Sequence, residues 1–105
     1  MPEQRPVRRF FPRRKVFLAC SVSWQDRRVY GRTADVSYAG VGILLPEAID
    51  VNVEILVQLP DGIWLRARPV YHQEDKSDQF RVGCKIEFIE REEQQWINLC
   101  YVPRW

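Results

Sequence analysis

The amino-acid sequence predicts an all-β fold, a six-stranded antiparallel β-barrel with a C-terminal α-helix. Three observations lead there. Period-two alternation of apolar residues dominates between Val16 and Phe88, the mark of strands with one buried face, and about six strand runs fit there. The runs are joined by short polar segments carrying turn residues, which suits antiparallel neighbours. Helical spacing replaces the alternation only at the C-terminal end. Closing the sheet into a barrel also removes the strand edges that an open sheet would expose.

Val16, Leu18, Cys20, Val22 and Trp24 share one face of the first strand, with Phe17, Ala19, Ser21 and Ser23 on the other. Polar Gln25 to Arg28 is a hairpin turn, and the second strand runs near Val29 to Val36. Tyr38-Ala39-Gly40 makes a corner before a short apolar strand from Val41 to Leu45, and Pro46 to Asn52 is a loop. Val53, Ile55, Val57 and Leu59 form the inward face of the fourth strand, and Pro60-Asp61-Gly62 suits a tight hairpin. Ile63, Leu65, Ala67, Pro69 and Tyr71 continue that face in the fifth. After the polar loop Gln73 to Gln79, the sixth strand places Phe80, Val82, Cys84, Ile86 and Phe88 inward, with Arg81, Lys85 and Glu87 outward. Ile89, Trp96, Ile97, Cys100 and Tyr101 then trace a helical stripe, with Trp96 against the barrel. Glu90, Glu92 and Glu93 lie near the helix start, where its dipole favours acids, and Pro103 stops it. The expected organisation is an arginine-rich arm over residues 1–15, a barrel over 16–89 and a helix over 90–102.

The chain has 105 residues, 46% of them hydrophobic and 29% charged, enough for one buried core and too short for a two-domain enzyme with a cleft between domains. No apolar run approaches the ~20 residues of a membrane-spanning helix. No apolar segment follows the N-terminal arginines as it would in a secretory signal. Cys20, Cys84 and Cys100 are odd in number and form no C-x-x-C pair, which argues against a disulfide framework or a thiolate zinc site and for reduced thiols in the cytoplasm. His72 is the single histidine, leaving little for a multi-histidine metal site or a His-based triad. With no nucleophile–base pair, paired carboxylates or metal cluster to be found, an enzyme is disfavoured and no cofactor is expected. The stop at Trp105, directly after the helix, is what a domain excised from a larger protein would show.

The net charge of +2 conceals an asymmetry: residues 1–15 hold six basic side chains against Glu3, a local balance of +5, which leaves the other ninety residues at −3. A basic arm on a mildly acidic body points to a negatively charged partner held at one end of the domain. Two segments carry the matching chemistry. In Arg8-Arg9-Phe10-Phe11-Pro12-Arg13, Pro12 disfavours helix just before it and sets the arginines on an extended or turned arm. The arginine fork donates in pairs to phosphate oxygens or to guanine O6 and N7, and its flat face stacks on a ring. In Asp35-Val36-Ser37-Tyr38-Ala39-Gly40, the carboxylate can accept from the ring N–H and exocyclic amine of guanine. Ser37 donates or accepts, and Gly40 permits close approach. Taken alone, the second segment is also an ordinary turn.

The two together, Arg9-Phe10-Phe11-Pro12-Arg13 before the first strand and Asp35 to Gly40 after the second, resemble the R-x-x-x-R and D-x-S-x-x-G motifs of the PilZ family, bacterial receptor domains for cyclic di-GMP. Both match without a departure. The strand Arg81-Val82-Gly83-Cys84-Lys85-Ile86-Glu87-Phe88 is similar to that family's last barrel strand, so the likeness spans nearly the whole chain and implies a PilZ-like split barrel. It implies that Arg9 and Arg13 contact guanine Hoogsteen edges and phosphates, that Asp35 and Ser37 hold the other guanine edge, and that Gly40 keeps the floor clear. Arg8 precedes the motif, where the family residue influences ligand number, and an arginine there implies an intercalated ligand dimer. Ordering of the arm would carry the signal to an effector in the same or a partner polypeptide. The ending from Glu92 to Leu99, with Tyr101 and Trp105, resembles the cytosolic module of bacterial cellulose synthase catalytic subunits, which implies a membrane glycosyltransferase as that effector. The chief rival is a small nucleic-acid-binding barrel. It is disfavoured because the basic residues gather in the arm instead of striping a strand face, and because it leaves Asp35 without a role. A barrel serving only protein–protein contact is disfavoured by the intact motifs. No nucleic-acid partner and no membrane span are expected.

Overall fold

A computed structural model of the chain describes residues 12–76 and 78–101. Arg8, Arg9 and the expected helix stop at Pro103 lie outside the described residues, as does Trp105. Seven strands and one helix follow in order: β1 Arg14–Lys15, β2 Ala19–Trp24, β3 Arg27–Ser37, β4 Gly40–Leu45, β5 Ile55–Gln58, β6 Trp64–Glu74, β7 Phe80–Arg91 and α1 Glu93–Cys100. All pairings are antiparallel, and the sheet order β3-β2-β5-β6-β7-β4 closes through a further β3–β4 pairing. This is the six-stranded barrel with a C-terminal helix. The two-residue β1 continues the edge of β3 that β2 occupies further back, with Lys15 opposite Asp35 and Ala19 opposite Arg32.

The break between β1 and β2 is filled by one side chain. Thr33 is fully buried; its hydroxyl accepts from the Leu18 amide at 2.9 Å and donates to the Val16 carbonyl, while its own amide donates to Leu18 O at 2.8 Å. A buried hydroxyl thus satisfies backbone groups that the interrupted ladder would leave without partners.

Most of the core comes from the strand residues expected to face inward: Cys20, Val22, Val29, Val36, Val41, Ile43, Leu45, Ile55, Val57, Leu59, Ile63, Leu65, Ala67, Val82 and Cys84 are buried, and Ile49 from the loop after β4, which alternation did not mark, joins them. Trp96 of α1 joins them with no exposed surface. The β5–β6 hairpin turns through Asp61 (φ 65) and Gly62 (φ 77), closed by Leu59 N–H donating to Ile63 O at 2.8 Å.

Four register slips interrupt the ladders, and three of them decide which way the side chains named next face, because one extra residue in a strand turns all that follows to the other side. Between Thr33 and Asp35 the β3–β4 register slips, so Thr33, Ala34 and Val36 are buried and Asp35 faces outward. Between Pro69 and Tyr71 the β6–β7 register slips again, so Tyr71 leaves the inward set and is 43% exposed. Between Arg66 and Ala67 a third slip, with Glu87 the extra residue on β7, brings Ile89 opposite buried Leu65 and turns Phe88 out to 59% exposure. Alternation alone had placed Tyr71 and Phe88 inward.

Strand β7 runs on to Arg91, opposite Trp64, and the Arg91 guanidinium stacks 4.1 Å from the Trp64 ring centroid. Helix α1 therefore begins at Glu93, after Glu92 takes a left-handed turn (φ 60). Over eight residues it buries the i, i+4 pair Trp96 and Cys100 and leaves Ile97 and Tyr101 exposed. Among the described residues no helix is long and apolar enough to cross a membrane.

Candidate ligand-binding site

The slip after Thr33 aims Asp35 at two arginines. Arg13 Nη2, from the arm, donates to Asp35 Oδ1 at 2.7 Å, and Arg81 Nη2, from β7, donates to Oδ2 at 2.6 Å. The backbone amide of Gly42, opposite Asp35 across the β3–β4 ladder, also favours the ionised carboxylate. Burial works to raise the pKa of Asp35, but the hydrogen bond and charge of Arg13, the charge of Arg81 and the Gly42 amide outweigh it and hold the carboxyl below its usual range. The same hydrogen bond to Asp35, more than burial opposes it, pushes the Arg13 guanidinium up. The site therefore holds a fixed anion between two fixed cations at neutral pH.

One lateral row of the sheet forms the floor. Lys15, Asp35, Gly42, Gly83 and Tyr71 stand opposite one another across β1, β3, β4, β7 and β6. The two glycines in the middle let neighbouring side chains lie on the sheet, and a Cβ at either would push them off. A Cβ on Gly42 would stand 2.7 Å from Asp35 Oδ1, and one on Gly83 would stand 2.2 Å from the Tyr71 ring. Asp35 folds over the floor from one side and Tyr71 from the other.

Beside this row, Ser37 is buried and pairs with Gly40 across the corner. A Cβ on Gly40 would lie 3.5 Å from Ser37 Oγ, 3.5 Å from Arg13 Nη1 and 3.3 Å from Cys84 O. Arg13, Asp35, Ser37 and Gly40 are thus brought to one place, as their spacing suggested; Arg8 and Arg9 lie outside the described residues. Arg81 and Tyr71 belong to the same place and were missed. Their signal was faint: Gly42 and Gly83, positions without a side chain on two strands, leave the room that the Asp35 and Tyr71 side chains fill.

Helix α1 is tied to both halves of the site. Trp96 Nε1 donates to the carbonyl of Tyr38 at 3.1 Å, and the Tyr38 hydroxyl donates to Glu93 Oε2 at 3.1 Å, which pushes the phenol's pKa up. On the arm side, Arg14 Nη1 donates to Leu99 O at 2.6 Å, a cation on one of the carbonyls a helix C-terminus leaves open.

A closed six-stranded barrel whose rim joins an arginine arm to an aspartate folded over a glycine floor defines a small β-barrel domain with a polar, charge-paired surface site. The chain belongs to the PilZ domain family, whose model matches residues 7–101. Several solved structures share the fold, among them one from Bacillus subtilis and one from Escherichia coli. The inhibitor of motility MotI/DgrA of Bacillus subtilis superposes with a TM-score of 0.68 at 18% identity, over 92% of this chain and 51% of that one. This chain therefore spans about half of that protein. The PilZ domain of YcgR from Escherichia coli, solved with c-di-GMP, superposes with a TM-score of 0.68 at 15% identity, over 92% of this chain and 89% of that one. No curated protein sequence matches the chain significantly.

Proposed function

We propose that this domain is a cyclic di-GMP receptor that takes its ligand on the rim between arm and corner and passes the event on as a reordering of the arm. The observation that carries the reading is the 2.7 Å contact between Arg13 and Asp35, which joins the two motifs in one site. The Watson–Crick edge of guanine offers N1–H and N2–H donors, and an ionised, oriented carboxylate accepts both. Arginines of the arm supply the complementary donors for phosphates and for guanine O6 and N7. The Tyr71 ring offers a flat apolar face at the far end of the floor. An intercalated ligand pair brings four phosphate charges to an arm whose local balance is +5. The ligand in the YcgR domain supports the choice of guest.

In this reading Arg8, Arg9 and Arg13 grip phosphates and guanines, Asp35 and Ser37 hold the opposite guanine edge, and Gly40 leaves room. The domain is regulatory, and its effector is a neighbouring domain or partner. The likeness of the C-terminal segment to the cytosolic module of cellulose synthase subunits suggests a membrane glycosyltransferase for that role. Calorimetric titration with cyclic di-GMP, beside GTP and cyclic GMP, tests the reading. Cyclic di-GMP alone is expected to bind tightly, at two molecules per domain. Arg13→Ala is expected to remove most of the affinity, and Asp35→Ala to weaken it by at least ~1–3 kcal/mol, the scale of one good base contact. Equal affinity in wild type and Arg13→Ala would overturn the assignment; one ligand per domain would overturn the dimer while leaving the receptor standing.

A further inference from the structure

Asp35 is held twice, and its two holders differ in what anchors them. Arg13 precedes β1, whose pairing with β3 spans two residues, and its side chain is half exposed. Arg81 sits inside the closed ladder, paired with Leu44 of β4 on one side and Gln73 of β6 on the other, and its side chain is 30% exposed. Its guanidinium crosses β4 above Gly42, where a Cβ would stand 3.5 Å from Arg81 Nη2 and 2.7 Å from Asp35 Oδ1. A guest that claims Oδ1 must displace a guanidinium, and the one on the short arm gives way first.

We propose that Arg81 is a positioning residue of the guanine subsite: it clamps Oδ2 of Asp35 from β7, so that Oδ1 stays presented to the guanine N–H donors after Arg13 has let go. The inference rests on the receptor reading above and adds a determinant of base choice to it. Adenine presents an acceptor at N1 where guanine presents a donor, so a carboxylate kept ionised and fixed opposes it. The groups facing Asp35 are Arg13 from the arm, Lys15 across the β1–β3 ladder, the Gly42 amide from β4 and Arg81 from β7, with Tyr71 of β6 near Arg13. Removing Arg81 takes away one of the two cations in contact with the carboxylate.

The test compares the full wild-type chain with Arg81→Ala and Arg81→Lys in two measurements. One follows the Asp35 carboxyl by NMR as a function of pH with no ligand present. The other measures affinity for cyclic di-GMP and cyclic di-AMP by calorimetry. Arg81→Ala is expected to titrate Asp35 at higher pH, to weaken cyclic di-GMP about tenfold or more, and to narrow its preference over cyclic di-AMP. Arg81→Lys, a cation at the same register position, is expected to return the titration towards wild type and recover part of the preference. If wild type binds cyclic di-GMP while Arg81→Ala matches it in Asp35 titration and in ligand preference, the inference fails alone. A wild-type chain that takes up no cyclic di-GMP overturns the receptor reading, and this inference with it.

Discussion

At Asp35, two ion pairs and a backbone amide favour the ionised carboxylate by more than burial disfavours it, so its folded-state pKa lies below the unfolded value. The sign of the resulting pH dependence follows. The unfolded chain takes up the proton first as pH falls, so the stabilisation from this carboxylate is complete at neutral pH and persists to about pH 4, the ordinary carboxylate range. It is lost only as the pH drops through the lowered folded value. Urea unfolding of wild type and Asp35→Asn is expected to show wild type more stable at neutral pH, with the gap closing in strong acid. A gap that widens on acidification would contradict the assignment of the pairs. Buried Cys20, Cys84 and Cys100 contribute nothing comparable near neutrality, since burial pushes their thiols up to about 11, 12 and 12. Of the site's side chains, Arg13, Asp35, Ser37 and Gly40 were legible in the sequence because arm and corner are each local patterns. Arg81 was not: in its strand it reads as one more outward residue, and its partner is 46 positions away.

At the scale of elements, alternation together with turn residues and one short apolar run identified the six barrel strands, and the change of period identified the helix. Alternation fails where a strand carries an extra residue. Pro69-Val70-Tyr71 and Ile86-Glu87-Phe88 keep an apolar rhythm in sequence while the register slips in between, so Tyr71 and Phe88 end up outside. No local signal distinguishes such a run from a regular strand, because the slip is set by the neighbouring strand. Helix α1 shows the converse case, since eight residues are too few to hold a helix in water without tertiary contacts. Its hold on the barrel is Trp96, fully buried and bonded through Nε1 to Tyr38 O. Trp96→Ala is expected to cost roughly 3–5 kcal/mol in urea unfolding, from the cavity and lost contacts. Trp96→Phe keeps most of the volume and leaves the Tyr38 carbonyl without its donor, an expected cost of about 1–3 kcal/mol. Equal stability of Trp96→Phe and wild type would mean the indole hydrogen bond does not fasten the corner to the helix.

For the molecule as a whole, the order of strands around the barrel was beyond the sequence, because it depends on pairings between distant segments such as β2 with β5 and β4 with β7. Closure rests on β3, which pairs through its first half with β2 and through its second with β4, both meeting at Arg32. The neighbouring Gly31 is where the bend leaves no room. A Cβ there would stand 2.2 Å from the Leu44 carbonyl oxygen and 2.6 Å from Leu45 Cδ2. The Leu45 methyl can turn aside, but the Leu44 carbonyl belongs to a strand held on both edges, by β3 and by β7. Gly31→Ala must therefore move backbone in the closing seam, against an alanine's otherwise better fit to a strand. Its expected cost is about 1–3 kcal/mol, the scale of overpacking in a filled interior, read as a lower urea midpoint with the slope unchanged. A changed slope would show that the seam opens and the folded state itself has loosened. An unchanged midpoint would mean that β4 slides away from β3 at no cost, and that closure at this seam does not hold the rim residues in register.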